Sequence, residues 1–128
     1  MRFLLDTHLL LWVALGHKRL GRAVVSLLTD PENEVLFSVS SIWEIAIKRG
    51  LKKSSFLHDP REIRRQMIAN GYDELSIQSQ HVVAVDSLAS LHKDPFDRLL
   101  IAQAIVEGVT LLTADAIIAR YPGPIRKV

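Results

Sequence analysis

The chain has 128 residues, of which 48% are hydrophobic, and this is enough to bury the core of one domain. Its net charge of +2 does not by itself indicate a nucleic-acid-binding protein. The absence of cysteine excludes disulfides and thiolate chemistry, and no apolar run approaches the roughly 20 residues of a membrane span. With no signal-peptide pattern at its start, we expect a single cytoplasmic domain over residues 1–128.

Short apolar runs alternate with helix-length segments in the first half of the chain. Ser40 and Ser41 favour a helix start, whereas Lys48 and Arg49 suit the negative carboxyl-terminal end of the same helix before Gly50. Strands are predicted at residues 3–5 and 35–37, helices at residues 8–15, 20–28 and 42–49, and a connection at residues 51–58.

In the second half, an aspartate followed by proline twice precedes a helical segment, the usual arrangement of an N-cap and a first helical residue. Helices are predicted at residues 60–70, 79–91 and 99–106, and strands at residues 74–77, 109–112 and 125–128. Strands that alternate with helices imply right-handed crossovers and a parallel sheet. We therefore predict an α/β fold, a three-layer α/β/α domain with a central parallel sheet of four to five short strands.

Four carboxylates recur at the boundaries of these elements. Asp6 and Asp115 each follow an apolar strand, so a parallel sheet puts both at one edge. Glu44 and Asp97 lie in the first turns of predicted helices, which converge on that edge if they return from it. Like charges raise each other's pKa, so such a cluster needs a cation to stay ionised. Hard divalent ions with oxygen ligands, Mg²⁺ or Mn²⁺, meet this need and can activate water against a phosphodiester.

Three of these acids also have a structural explanation. Glu44 completes a capping box with Ser41, Asp97 lies near the positive end of a helix, and Asp115 is a possible N-cap. Asp6 has the weakest structural explanation, because a strand end between leucines rarely needs an acid. Asp94 precedes a proline and is the natural N-cap, so we assign Asp97 rather than Asp94 to the metal site.

Other polar residues near these acids carry weaker signals. Thr7 and Thr113 adjoin site acids and could orient a water molecule or merely cap a helix, and His92 has no clear partner. A basic cluster after the Glu44 helix is usually a solvated face, but it can also hold RNA phosphates without reading sequence. Its members are Lys48, Arg49, Lys52 and Lys53.

Four segments in order, LLDTHLLLW, SSIWEIAIK, HKDPFDRLLIAQA and LLTAD, resemble the PIN domain, and most closely the VapC-type toxins of toxin–antitoxin pairs. The resemblance runs from Leu4 to Pro122. It implies an Mg²⁺-dependent endoribonuclease, with Mn²⁺ as an alternative ion, that is usually dimeric and is inhibited by a small antitoxin protein. The family's four acids fall on Asp6, Glu44, Asp97 and Asp115, and we expect metal at Asp6, Asp97 and Asp115.

Two other functions are compatible with parts of this pattern. A PIN-like module could serve only to bind a partner, with structural acids, although intact acids count against this. A receiver-like domain would use Asp6, after the first strand, as a phosphoacceptor. Large apolar residues on short helices, at residues 9–13, 24–28 and 42–47, further predict a homodimer, because they are more than we expect a domain of this size to bury.

Overall fold

Five short strands form one parallel sheet at the centre of the molecule. The computed structural model describes residues 1–53 and 56–128; Ser54 and Ser55, in the predicted connection, lie outside the described residues. The strands are β1 (Arg2–Leu5), β2 (Glu34–Ser38), β3 (Asp73–Leu75), β4 (Thr110–Thr113) and β5 (Ile125–Lys127). Their order is β3-β2-β1-β4-β5, so the chain builds outward from one side of β1 and then from the other.

Helices cover both faces of the sheet, which confirms the predicted three-layer α/β/α fold. The helices are α1 (Thr7–Leu15), α2 (Arg22–Thr29), α3 (Val39–Gly50), α4 (Pro60–Ala69), α5 (Ser79–Ala84) and α6 (Pro95–Glu107). Side chains alternate along β1, so Phe3 and Leu5 pack against α1, α3 and α4, whereas Leu4 packs against α6. None of the described helices reaches the length and hydrophobicity that crossing a bilayer requires.

The predicted cap of α6 is confirmed, whereas α3 begins earlier than predicted because its cap lies further upstream. Helix α6 begins at Pro95, and the Asp94 carboxylate accepts hydrogen bonds from Phe96 N at 2.9 Å and Asp97 N at 3.2 Å. Helix α3 begins at Val39, because Ser38 rather than Ser41 is its N-cap. The predicted capping box between Ser41 and Glu44 is therefore wrong, and Glu44 lies in the second turn of α3.

The helix predicted over residues 79–91 is too long. Helix α5 ends at Ala84 and a single 3₁₀ turn, Val85–Ser87, follows it. The Arg98 guanidinium donates hydrogen bonds to the carbonyls of Val85, at 3.2 Å, and Ala89, at 2.9 Å. A side chain from α6 thus satisfies carbonyl groups that would otherwise pair within a continued helix, and a sequence pattern cannot reveal such a tertiary partner.

Candidate metal centre

The acids that the sequence places after strands lie at the carboxyl edge of the sheet. Asp6 directly follows β1, and Asp115 follows the neighbouring strand β4 by two residues. These two strands pair, with Leu5 opposite Leu112. The strands β2 and β3 extend the sheet on one side of this pair and β5 extends it on the other, so the strand order reverses between β1 and β4. Ligands of open α/β sheets bind in the crevice at such a switch point. Asp6 and Asp115 indeed line one cleft of about 240 Å³ there.

Asp6 is the most buried aspartate of this edge, with 3% of its surface exposed. One carboxylate oxygen caps α1 by accepting a hydrogen bond from Leu9 N at 2.8 Å, and the other accepts one from Thr113 Oγ1 at 2.5 Å. Burial raises the pKa of Asp6 above its ordinary value, although the hydrogen bonds from Thr113 and Leu9 lower it. The charge of His8 also lowers this pKa, and that of Asp115 raises it, but burial outweighs the lowering contributions.

Asp97 projects from the first turn of α6 into the same region. Its Oδ2 lies 2.8 Å from His92 Nε2. Burial is the main reason that the pKa of Asp97 rises to about 8, and the negative charges of neighbouring acids add to it. Those neighbours are Asp94, Glu44, Asp6 and Asp115. The structure therefore places the other three carboxylates of the sequence pattern, and Asp94 as well, close enough to act on Asp97.

Glu44 is buried, and each of its carboxylate oxygens has a hydrogen-bond donor. Thr7 Oγ1 donates to Oε1 at 2.6 Å, and Lys48 Nζ donates to Oε2 at 2.5 Å. The Ser41 hydroxyl lies 3.0 Å from Thr7 Oγ1 and completes this buried group. Glu44 is thus held by side chains of α1 and α3, rather than by a cap at the start of its own helix.

Lys48 points toward the acids and not into solvent. Its ammonium lies 3.5 Å from Asp94 Oδ2 as well as against Glu44, and 4.7 Å from the centre of the Phe56 ring. Burial would lower the pKa of Lys48, but the hydrogen bond and charge of Glu44, together with Asp94, outweigh it and raise the pKa. Of the basic cluster, Arg49 pairs with Asp59 at 3.5 Å, whereas Lys52 and Lys53 are exposed.

The donor set of this edge fits a hard divalent cation. Ligand atoms of His92, Asp97 and Asp115 all lie within 4.8 Å of one another, and Asp6 adjoins Asp115 in the cleft. The carboxylate oxygens suit Mg²⁺ or Mn²⁺, and a bound cation would favour the ionised forms of Asp6 and Asp97, whose pKa values are raised without it.

His92 is the residue of this site for which the sequence gives no signal. A lone histidine in a loop has no periodicity, and its pairing with Asp97 depends on how the loop is held. The His92 amide donates to Tyr121 Oη at 2.7 Å, and the Arg98 guanidinium donates to the same hydroxyl at 3.2 Å. Both partners lie outside the loop, so only the fold reveals them.

Without divalent ions, we expect the protein to be more stable at pH 5.5 than at pH 8.5. Because the pKa of Asp97 is about 8 in the folded chain and near 3.8 when unfolded, the folded state binds more protons between these values. The stabilisation of the folded state by protonated Asp97 is complete below pH 3.8 and is lost as the pH rises through 8. The difference in melting temperature between pH 5.5 and pH 8.5, recorded in EDTA, measures this loss.

Two controls isolate the contribution of Asp97 to this pH dependence. Asp97→Asn cannot titrate, so its melting temperature should vary less between the two pH values. Added Mg²⁺ should raise the melting temperature of the unaltered chain at pH 8.5, where the carboxylates are ionised. A melting temperature that is equal or higher in EDTA at pH 8.5 would show that Asp97 is ordinarily ionised in the fold.

The chain is similar to known proteins over nearly its whole length. The PIN domain model matches residues 3–124. Several solved structures share the fold. VapBC2 from Rickettsia felis, bound to a DNA fragment from the promoter, has a TM-score of 0.73 and 16% identity over 100% of this chain and 99% of that chain. VapBC-1 from nontypeable Haemophilus influenzae has a TM-score of 0.66 and 15% identity over 99% of this chain and 98% of that chain. VapBC-5 from Mycobacterium tuberculosis, a member of the VapBC family of toxin–antitoxin systems, has a TM-score of 0.57 and 15% identity over 99% of this chain and 97% of that chain. No curated protein matches the sequence significantly.

Proposed function

Because this chain belongs to the PIN domain family, we propose that it is a metal-dependent endoribonuclease, the toxin of a toxin–antitoxin pair. The observation that carries the proposal is the convergence of four carboxylates at the carboxyl edge of the sheet. They are Asp6, Glu44, Asp97 and Asp115, and the charges of the other three act together on Asp97. We propose that residues 1–128 act as one nuclease domain in the cytoplasm, where RNA is available.

The reaction that suits this site is hydrolysis of an RNA phosphodiester bond. When bound, Mg²⁺ or Mn²⁺ supplies Lewis-acid activation of water and neutralises phosphate charge. Asp6, Asp97 and Asp115 would hold the ion. Glu44, fixed by Thr7 and Lys48, keeps free lone pairs with which to orient a water molecule. The His92 imidazole, 2.8 Å from Asp97, can take up a proton from water and release it to the leaving oxygen.

The direct test is cleavage of RNA by the purified chain. A mixture of structured and single-stranded RNA is incubated with Mg²⁺, with Mn²⁺ or with EDTA, and the products are resolved by length. We expect internal cleavage with either ion and none in EDTA. Intact RNA under all three conditions, with a folded protein that binds Mn²⁺, would favour a non-catalytic PIN-like module that only binds partners.

The structure argues against a receiver-like phosphoacceptor at Asp6. The sheet order β3-β2-β1-β4-β5 differs from the 2-1-3-4-5 order of receiver-type domains. The absence of labelling by acetyl phosphate, with the nuclease reaction present, would complete this exclusion.

RNA binding should depend strongly on salt through Lys52 and Lys53, the exposed members of the basic cluster. Each phosphate contact releases counterions, so its loss reduces the slope of log affinity against log salt concentration by about 0.7–0.9. We expect Lys52→Ala with Lys53→Ala to weaken binding and to reduce this slope by up to about twice that amount. Fluorescence anisotropy with labelled RNA at several salt concentrations measures both quantities.

Arg2→Ala is the matched control for these lysines. Arg2 is exposed at the amino-terminal end of β1, whereas the acids lie at the carboxyl ends of the strands. Its loss removes one positive charge from the opposite edge of the sheet and should leave the salt slope unchanged. An unchanged slope in the lysine variant as well would mean that Lys52 and Lys53 form only a solvated face.

We propose that the chain forms a homodimer and also binds a small antitoxin protein. The apolar surface available for the dimer contact is smaller than the sequence indicates. Leu9, Leu10 and Val24 are buried within the domain, so they are not available. Among the large apolar residues of the predicted ranges, Trp43 and Ile47 of α3 are the most exposed, at 51% and 45%, followed by Val25 of α2 at 41%. We expect light scattering to give a dimer that Ile47→Glu dissociates. A strict monomer at micromolar concentration, with no small protein co-purifying from the native host, would contradict both partners.

A further inference from the structure

The position of Lys48 bears on how many metal ions the site takes. The Lys48 side chain is 23% exposed and reaches inward from α3. Its ammonium contacts Glu44 at 2.5 Å and approaches Asp94 at 3.5 Å, and it lies 4.7 Å from the Phe56 ring centre and 5.9 Å from that of Phe96. Two carboxylates and two aromatic faces therefore fix one positive charge inside the acidic cluster.

The acids fall into two groups according to their hydrogen-bond donors. Asp6 is held by neutral groups, the Leu9 amide and the Thr113 hydroxyl, which do not repel a cation. Glu44, by contrast, has the Lys48 ammonium on Oε2 and the buried Thr7 hydroxyl on Oε1.

A cation bound to Oε2 of Glu44 would be repelled by Lys48. It would lie no more than about 4.6 Å from Nζ, the sum of the 2.5 Å contact and a metal–oxygen bond of about 2.1 Å. The ammonium of Lys48 thus occupies a coordination position on Glu44 that a second ion would need, and its positive charge opposes such an ion.

We infer that Lys48 is a built-in cation that replaces a second metal ion, so that the site takes one divalent ion, held by Asp6, Asp97 and Asp115, while Lys48 neutralises Glu44. The inference rests on the proposed function for the presence of a divalent ion. In this arrangement Lys48 is a positioning residue. It fixes the orientation of the Glu44 carboxylate, and it supplies without metal the positive charge that a second ion would bring.

Metal stoichiometry tests the inference directly. Mn²⁺ is titrated into the full chain at neutral pH, and free Mn²⁺ is followed by electron paramagnetic resonance. We expect one tightly bound ion per chain. In Lys48→Met, Coulomb's law predicts that the removed charge tightens the first ion about tenfold or more, or admits a second ion. Two ions of similar affinity in the unaltered chain would overturn the inference.

Two further variants separate the local role of Lys48 from general effects. Lys93→Met makes the same change in net charge at an exposed lysine next to Asp94, and it should change the Mn²⁺ affinity less than about twofold. Lys48→Arg keeps the charge, so it should still bind one ion. If Lys48→Met does not fold, Lys48→Met with Glu44→Gln avoids a buried unpaired charge and should keep one site. Equal Mn²⁺ binding by Lys48→Met and the unaltered chain would also overturn the inference.

RNA cleavage measured on the same samples separates this inference from the proposed function. A chain that cleaves RNA but binds two ions refutes the role of Lys48 and leaves the nuclease intact. A chain that binds one ion but does not cleave RNA refutes the nuclease and leaves the role of Lys48 intact.

Discussion

Asp97→Asn is expected to reduce Mg²⁺- or Mn²⁺-dependent RNA cleavage by at least about a hundredfold, since metal-ion stabilisation contributes several kcal/mol and each 1.36 kcal/mol is a factor of ten in rate. Asparagine has the same shape but lacks the charge that holds a cation. The fold should remain, and the metal-free variant should be more stable at pH 8.5, because a neutral amide avoids burying a carboxylate whose pKa is about 8. Product yield per unit time and melting temperature check both expectations.

Asp94→Asn is the matched control, three residues away on the same helix end. Asp94 Oδ1 caps α6 through Phe96 N and Asp97 N, and asparagine caps about equally well. We therefore expect a loss of stability on the order of 1 kcal/mol or less, with cleavage retained. If Asp94→Asn is inactive while Asp97→Asn cleaves normally, the two roles are reversed. If both cleave normally, the carboxylate site does not catalyse the reaction.

The sequence was sufficient to predict the sheet and the acids because both depend on local patterns. A strand end is indicated where an apolar run of strand length meets polar residues, as at Asp6 and at Thr113–Asp115. Parallel strands then place their carboxyl ends at one edge of the sheet. The choice between Asp94 and Asp97 also follows locally, since a residue before proline disfavours helix and Asp94 is indeed the cap. The fold class is confirmed, while the assignment of the acids to a metal site remains a proposal.

The interactions that the sequence could not predict are those between distant segments. His92 reaches Asp97 because Tyr121, from the far end of the chain, anchors its loop. Lys48 appears in sequence as part of a solvated basic cluster, yet it turns inward because the buried Glu44 one turn earlier needs a counter-charge. Helix α5 stops early because of Arg98. Each depends on a partner whose proximity only the folded chain creates.

Thr113→Val should weaken both the fold and the metal site, although valine has nearly the same shape as threonine. The Thr113 hydroxyl is fully buried, donates to Asp6 Oδ2 at 2.5 Å and accepts from Asp115 N at 3.0 Å. It thus joins the acid after β1 to the acid after β4. Valine leaves a buried carboxylate oxygen and a backbone amide without this partner, at a cost of about 1–3 kcal/mol in the free energy of unfolding.

The hydroxyl also lowers the pKa of Asp6, so its removal should raise that pKa further. Asp6 then binds a cation only at higher pH, and we expect weaker Mn²⁺ binding at neutral pH and a cleavage profile whose acidic limb moves to higher pH. Thr113→Ser keeps the hydroxyl and should restore both the Mn²⁺ affinity and the pH profile of cleavage. If Thr113 served only for packing, Thr113→Ser would be as impaired as Thr113→Val. Thr110→Val, at the other end of β4, controls for the substitution itself. If Thr113→Val loses stability but keeps the unaltered pH profile and Mn²⁺ affinity, Thr113 supports the fold alone and does not position Asp6 for metal.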